Sequence, residues 1–130
     1  VGNWYDATKG MEIADNLIKG GVDVILPICG GASQGVITSA VNNKAYIAWF
    51  DSNGFDKAPG TVISSTVTKQ EKLAQELTNN YLSGKIEWGG ADSVGLKDGY
   101  IEFIQDDPIY QDTVPEHVRT KMKKIIENTK

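Results

Sequence analysis

The chain has 130 residues, 40% hydrophobic and 23% charged, which is enough for one compact domain and too short for two. Its 13 basic and 17 acidic residues give a net charge of −4, which argues against a nucleic-acid-binding surface. A single cysteine, Cys29, excludes an intrachain disulfide, and a single histidine, His117, excludes most metal sites built from these residue types. The longest apolar run, residues 22–29, is too short to span a bilayer.

The first half of the chain predicts alternating helices and strands. Apolar residues at three- and four-residue spacing predict a helix over residues 6–19, with Asp6 as its N-cap and a glycine pair at its end. Residues 22–26 are rich in β-branched side chains and predict a strand buried on both faces of a parallel sheet. A second helix over about residues 33–42 then leads into a second strand over residues 45–50.

The second half continues the alternation with a third strand over residues 61–65. Thr68 and Glu71 have the spacing of a capping box, which predicts a third helix ending near Gly84. The spacing of its apolar residues predicts a buried stripe along that helix. The stripe consists of Leu73, Ala74, Leu77 and Tyr81.

Towards the carboxyl end the pattern is weaker. Residues 92–96 predict a short strand and residues 97–99 a turn, and residues 100–104 form an apolar segment whose type the sequence leaves open. Pro115 fits the first turn of a last helix. The apolar face of that helix is Val118, Met122, Ile125 and Ile126.

Alternating strands and helices predict an α/β fold, a right-handed parallel sheet with helices on both faces. In such sheets ligands bind beyond the carboxyl ends of the strands. Three segments follow this rule: residues 29–31 after the first strand, residues 51–53 after the second, and the turn at Lys97. We expect these three segments to line one edge of the sheet.

Each segment has a functional and a purely structural interpretation. The glycine-rich loop at residues 30–35 could receive a ligand on its free amides, or be a tight turn; it matches neither G-x-G-x-x-G nor a P-loop. Asp51 could accept two ribose hydroxyls or simply form a turn. Trp4 could stack on a heteroaromatic ligand or pack in the core, and Lys97 could donate to a ligand or be solvated. No G-x-S-x-G elbow precedes a histidine, so no hydrolase triad is visible.

Four motifs occur together in an order that resembles one protein family. They are Val-Gly-Asn-Trp-Tyr-Asp-Ala-Thr-Lys-Gly at 1–10, Cys-Gly-Gly at 29–31, Trp-Phe-Asp-Ser-Asn at 49–53 and Gly-Leu-Lys-Asp-Gly at 95–99. The sequence resembles, over nearly its whole length, the carboxyl-terminal half of basic membrane lipoproteins. This is the family of the purine nucleoside receptor (PnrA-like, including Med). Its members are substrate-binding proteins of bacterial ABC importers.

The resemblance implies a three-layer, parallel-sheet lobe of a type I periplasmic-binding-protein fold, in which two lobes close on a ligand. Residues 1–130 would be the single carboxyl-terminal lobe, without the amino-terminal lobe and any signal peptide. By the family pattern, Trp4 stacks on the base, Gly30 and Gly31 flank the ligand, Asp51 accepts the ribose hydroxyls, and Lys97 is a polar ligand contact.

The resemblance also implies a protein that binds without catalysis, needs no cofactor or metal, and delivers its ligand to an ABC permease. Its expected location is extracytoplasmic, with contact to the membrane only through a lipid anchor on the full-length parent and no contact with nucleic acid. Two departures concern the ligand: Phe-Asp-Ser-Asn stands where the family usually has Val-Asp-Ser-Asp, and Tyr100 replaces a smaller residue. A riboflavin-like ligand therefore stays an alternative to a purine nucleoside, and the effector-binding lobe of a repressor is an alternative of another class.

Overall fold

The computed structural model describes residues 1–129 and shows a mixed α/β fold built on a four-stranded sheet. The helices are α1 (Ala7–Lys19), α2 (Ser33–Asn43), α3 (Gln70–Leu82), α4 (Pro108–Thr113) and α5 (Glu116–Thr129). The strands are β1 (Val24–Ile25), β2 (Tyr46–Trp49), β3 (Val62–Thr68) and β4 (Ile101–Phe103). Short 3₁₀ turns cover Gly30–Ala32 and Phe55–Lys57.

The sheet is mostly parallel, with the strands in the order β1-β2-β3-β4. β1, β2 and β3 run parallel, and β4 pairs antiparallel with β3, with Thr68 opposite Ile101. Because β4 runs in the opposite direction, it begins at the edge where the other three strands end. The predicted α/β class and parallel sheet are therefore confirmed.

The first two helices pack tightly against each other through one glycine and one polar cluster. Asp15 of α1 accepts hydrogen bonds from the buried hydroxyl of Ser39 and, at 3.0 Å, from the amide of Asn43 on α2. Gly35 of α2 lies against the α1 backbone, where a Cβ would collide with the carbonyl oxygen of Ala7. This contact fixes α2, whose residues Val36, Ile37 and Ala40 belong to the buried core.

The predicted bounds of α1 and α2 agree with the structure to within one residue, but the burial predicted for β1 is wrong. The strand is only two residues long and is the outermost strand of the sheet, paired with β2 alone. Val24 is 41% exposed and Leu26 is 51% exposed. An outermost strand has a neighbouring strand on one side only, so an apolar sequence does not by itself bury both of its faces.

The prediction for the start and the buried face of α3 is also wrong. Thr68 ends β3 instead of capping the helix, whose N-cap is Lys69 without a side-chain hydrogen bond. No residue of α3 is buried; Leu73 is half-buried, whereas Ala74, Leu77 and Tyr81 are exposed. β3 runs three residues beyond its predicted end because β4 supplies a pairing partner for residues 66–68.

The carboxyl-terminal third differs most from the sequence prediction. Residues 92–96 do not form a strand, whereas part of the segment of open type, Ile101–Phe103, does. The turn at residues 97–99 is confirmed. An unpredicted helix, α4, begins with Asp107 as its N-cap, whose carboxylate accepts from the amide of Ile109 at 2.8 Å, and with a proline in its first turn. The predicted last helix is present, but it begins at Glu116, so Pro115 precedes its first turn instead of lying in it. Of its predicted apolar face, Ile126 is buried, Met122 is half-buried, and Val118 and Ile125 are exposed.

Tyr110 of α4 is a core residue, 2% exposed, whose ring lies 5.5 Å from that of Phe55 and 5.8 Å from that of Phe103 between centroids. Its hydroxyl is buried and has no hydrogen-bond partner among residues 1–129. An unpaired buried hydroxyl costs desolvation free energy that no hydrogen bond returns. Burial also raises the pKa of Tyr110 above its ordinary value of 10.0.

We therefore expect Tyr110→Phe to raise the free energy of unfolding by about 1 kcal/mol in urea denaturation. Because the pKa is raised in the folded state, the native protein should lose stability as pH rises above 10.0, and the variant should lose less. Tyr46→Phe, at an exposed tyrosine, is the matched control and should change neither quantity. A loss of stability in Tyr110→Phe would show that the hydroxyl has a partner.

Candidate functional site

The three predicted segments follow, or precede, strands at one edge of the sheet. The 3₁₀ turn Gly30–Ala32 comes after β1, Asp51 comes after β2, and the turn containing Lys97 comes before the antiparallel strand β4. The carboxyl ends of parallel strands and the start of an antiparallel neighbour lie at the same edge. The topology therefore brings these segments to one edge of the sheet.

Trp4 lies directly on the glycine turn. The amide of Ala32 donates to the Trp4 carbonyl oxygen at 3.2 Å, and a Cβ at Gly30 would lie 3.3 Å from Cε3 of the indole. Gly30 has φ +56°, so its backbone conformation also favours glycine. Gly31 lies beside Trp4 and Tyr5. With one part of its ring on Gly30, Trp4 is still 58% exposed, which leaves indole surface free for a ligand.

Asp51 is exposed and adopts a left-handed backbone conformation, with φ +68°. A non-glycine residue in this region costs roughly 1 kcal/mol unless its surroundings hold it there. Thr68 at the end of β3 provides such support, because its hydroxyl donates to Oδ1 of Asp51 at 3.1 Å. The remaining lone pairs of the carboxylate are available to accept hydrogen bonds from a ligand.

Further polar contacts hold the loop that contains Asp51. The buried hydroxyl of Ser65 on β3 donates to the Ser52 carbonyl oxygen at 2.9 Å and accepts from the Gly54 amide at 3.1 Å. The side-chain amide of Asn53 donates to Oδ2 of Asp107 at 2.7 Å. This hydrogen bond is the main reason that the pKa of Asp107 lies below its ordinary value of 3.8.

Lys97 is exposed on a turn that its neighbours hold in place. Oδ2 of Asp98 accepts from the Gly95 amide at 2.8 Å, and Nζ of Lys72 lies 3.4 Å from the Asp98 carbonyl oxygen. Tyr100 donates to Glu76 of α3, and this hydrogen bond raises the pKa of the tyrosine above 10.0. The ammonium group of Lys97 is thus presented by a structured turn.

The described contacts bring the predicted residues together in part. Trp4 touches Gly30 directly and lies next to Gly31, whereas Asp51 contacts Thr68. The Lys97 turn is connected to that side of the site through the backbone, since the amide of Lys69 donates to the Tyr100 carbonyl oxygen at 2.7 Å.

Sequence reasoning missed Thr68, Ser65 and the Asn53–Asp107 pair as support for this edge. Thr68 carried a misleading local signal, the spacing to Glu71. Ser65 and Asp107 act on residues 13 and 54 positions away, respectively, and no short-range pattern reveals such partners.

The loops at this edge carry an exposed indole, an exposed carboxylate and an exposed ammonium group, those of Trp4, Asp51 and Lys97. Within residues 1–129 no group of three potential metal-ligating side chains occurs, and His117 lies exposed on α5. None of the helices in that range is both long and apolar enough to cross a membrane.

Comparison with known structures shows the class of fold. The chain superimposes on a transcriptional activator of the comK gene from Bacillus halodurans with a TM-score of 0.79 and 25% identity, covering 98% of this chain and 43% of that one. It superimposes on an ABC transporter solute-binding protein from Aeropyrum pernix with a TM-score of 0.66 and 20% identity, covering 98% and 38% of the two chains. The fold is therefore that of the solute-binding proteins of ABC transporters.

Sequence comparison gives the family. The profile of the family described as "ABC transporter substrate-binding protein PnrA-like" matches residues 1–130, and the chain belongs to this family. Basic membrane protein A of Borreliella afzelii is 28% identical over 97% of this chain, and the transcriptional activator protein med of Bacillus subtilis is 22% identical over 93%. The chain spans 40% of the length of the first relative and 38% of the second.

Proposed function

We propose that this chain is one lobe of a substrate-binding protein that captures a purine nucleoside at the carboxyl edge of its sheet. The observation that carries the proposal is the loop of Asp51, an exposed carboxylate held in a left-handed conformation at the end of β2. Such a group costs free energy to hold in place and makes no contribution to the core, which favours a role in ligand binding.

Each residue of the edge has a distinct part in this proposal. The exposed indole of Trp4 stacks on the purine, while Gly30 and Gly31 let the backbone approach it closely. Asp51 accepts hydrogen bonds from both ribose hydroxyls, as a carboxylate can with its two oxygens. Lys97 donates to an oxygen or a ring nitrogen of the ligand. The step is binding alone, with no bond made or broken.

The whole protein extends the proposal to partners and location. A second, amino-terminal lobe would cover the other face of the ligand and close on it by a hinge, and the closed form would present the nucleoside to an ABC permease. The relatives are more than twice as long as this chain, which supports a second lobe. We place the parent protein outside the cytoplasm, which membership of a family of ABC transporter substrate-binding proteins supports. A lipid anchor would tether it to the membrane, as the resemblance to basic membrane lipoproteins implies.

Two other functions fit the same residues. A riboflavin-like ligand has a flat ring system and a hydroxylated chain and would use the same stacking and carboxylate contacts. A regulator that senses a small effector is supported by two relatives whose names describe transcriptional activators. The residues upstream of Val1 in the gene distinguish these classes: a lipobox cysteine supports the importer, and a helix-turn-helix supports the regulator.

Calorimetric titration tests the proposal with this chain and with the complete gene product, each against inosine, guanosine and riboflavin. A pocket must bury most of a small ligand's surface, so we expect the complete product to bind a nucleoside at least about 100-fold more tightly than this chain alone. Equal affinity of the two proteins would contradict a two-lobed site. Binding of riboflavin with no response to either nucleoside would show that the ligand is flavin-like and not a nucleoside.

A further inference from the structure

Asn53 and Asp107 join two segments that are far apart in the sequence. Nδ2 of Asn53, in the loop after β2, donates to Oδ2 of Asp107 at 2.7 Å across 54 positions of the chain. Asp107 is the N-cap of α4. The contact therefore ties the loop of Asp51 to the start of a helix that packs on β3.

The remaining polar atoms of both side chains are also used, which fixes how each one is oriented. Oδ1 of Asn53 accepts from the Phe55 amide at 3.1 Å, and Oδ1 of Asp107 accepts from the Ile109 amide at 2.8 Å. The side chain at position 53 must therefore carry both a donor and an acceptor, which an amide provides and a carboxylate does not. An aspartate at position 53 would face the carboxylate of Asp107 at hydrogen-bond distance, and the like charges would repel.

Two further contacts fix the loop, one to β3 and one to α4. Ser65 holds the backbone on either side of Asn53, through Ser52 and Gly54. Phe55, fully buried, follows directly and packs on Tyr110 of α4. Asn53 is thus the side-chain connection between a loop fixed to β3 and the first turn of α4.

We propose that Asn53 and Asp107 are positioning residues, which lock the loop at residues 51–54 so that the Asp51 carboxylate stays directed at the ligand. This inference rests on the proposed function of Asp51. The left-handed backbone at Asp51 is held partly from the side of β3, by Thr68 and Ser65, and partly from the side of α4, by this pair. Loss of the pair frees one side of the loop while leaving the core residues in place.

Three variants of the pair test the inference. Asn53→Asp opposes two carboxylates, and Asp107→Asn leaves a single side-chain oxygen, which can serve the N-cap of α4 or the amide of Asn53. The double variant reverses the pair. In the double variant the new carboxylate accepts from the Phe55 amide and from the new side-chain amide, whose oxygen can still cap α4. Asn42→Asp, at an exposed position of α2, adds the same charge elsewhere and serves as the control.

The first measurement is amide hydrogen exchange of Gly54 and Phe55 in the chain of residues 1–130. We expect exchange to become about tenfold faster in Asn53→Asp, to stay near the original rate in Asn42→Asp, and to recover in the double variant. Exchange that is unchanged in Asn53→Asp would overturn the lock whatever the ligand proves to be.

The second measurement is inosine affinity of the complete gene product with the same changes. Asn53→Asp should weaken binding about tenfold, and the double variant should return to within about twofold of the original protein. If Asn53→Asp speeds exchange and leaves affinity unchanged while Asp51→Asn abolishes binding, the pair has only a structural role and the proposed function stands. If neither Asn53→Asp nor Asp51→Asn alters affinity, both the positioning role and the proposed role of Asp51 fail.

Discussion

Asp51→Asn is expected to weaken inosine binding by the complete gene product about 100-fold, because the charge on the proposed acceptor of two ribose hydroxyls is lost. Asparagine tolerates a left-handed backbone, and its side-chain oxygen can still accept from Thr68, so the loop should keep its shape. The free energy of unfolding should therefore change by less than about 0.5 kcal/mol. Calorimetric titration and urea denaturation measure the two quantities.

The matched control is Asp56→Asn, which removes an exposed carboxylate from the 3₁₀ turn five positions further along. It changes the net charge of the protein by the same amount and should leave inosine affinity within about twofold. Equal affinities of Asp51→Asn and the original protein would contradict the role of Asp51. Equal losses in both variants would point to long-range charge instead of a contact.

Gly35→Ala is expected to lower the free energy of unfolding by about 3 kcal/mol, although the same change in an exposed helix normally raises it by about 1 kcal/mol. The reason is the close approach of α1 and α2. A Cβ at Gly35 would collide with the Ala7 carbonyl oxygen and lie 2.8 Å from the Met11 nitrogen, both of which are backbone atoms that cannot rotate away.

Urea denaturation measures this effect, and Gln34→Ala, at the preceding exposed position of α2, is its control. The control should stay within about 0.5 kcal/mol of the original protein, since it removes no buried group. A stabilised Gly35→Ala variant would show that the two helices are further apart than the structure has them.

Local signals predicted those elements whose ends are determined by neighbouring residues. Asp6 accepts from the Lys9 amide at 2.9 Å, so the start of α1 depends on a contact between residues three positions apart. A short-range contact of this kind can be predicted from the sequence. The segments after β1 and β2 were predicted to meet at one edge because parallel strands share a direction. The left-handed backbone at Asp51 has no such signal, since the residue tolerates that conformation without requiring it.

Long-range pairing determined the elements that the sequence did not predict. Residues 66–68 are strand because β4 lies beside them, and Thr68 therefore could not serve as a helix cap. The apolar spacing of α3 is real, but residues 1–129 bury none of its side chains fully and only Leu73 of the predicted stripe is half-buried. The start of α4 was predictable in principle, since an aspartate followed by proline is a common helix start. Its link to Asn53 was not.

One measurement tests most directly whether a nucleoside binds at the carboxyl edge of the sheet. The chain has three tryptophans, Trp4, Trp49 and Trp88, whose indole N–H signals can be followed by NMR in the complete gene product labelled at tryptophan. With saturating inosine, Trp4 should shift strongly while Trp88, exposed beside α3, stays unchanged. A shift of Trp88 with Trp4 unaffected would place the ligand elsewhere and contradict the proposed site.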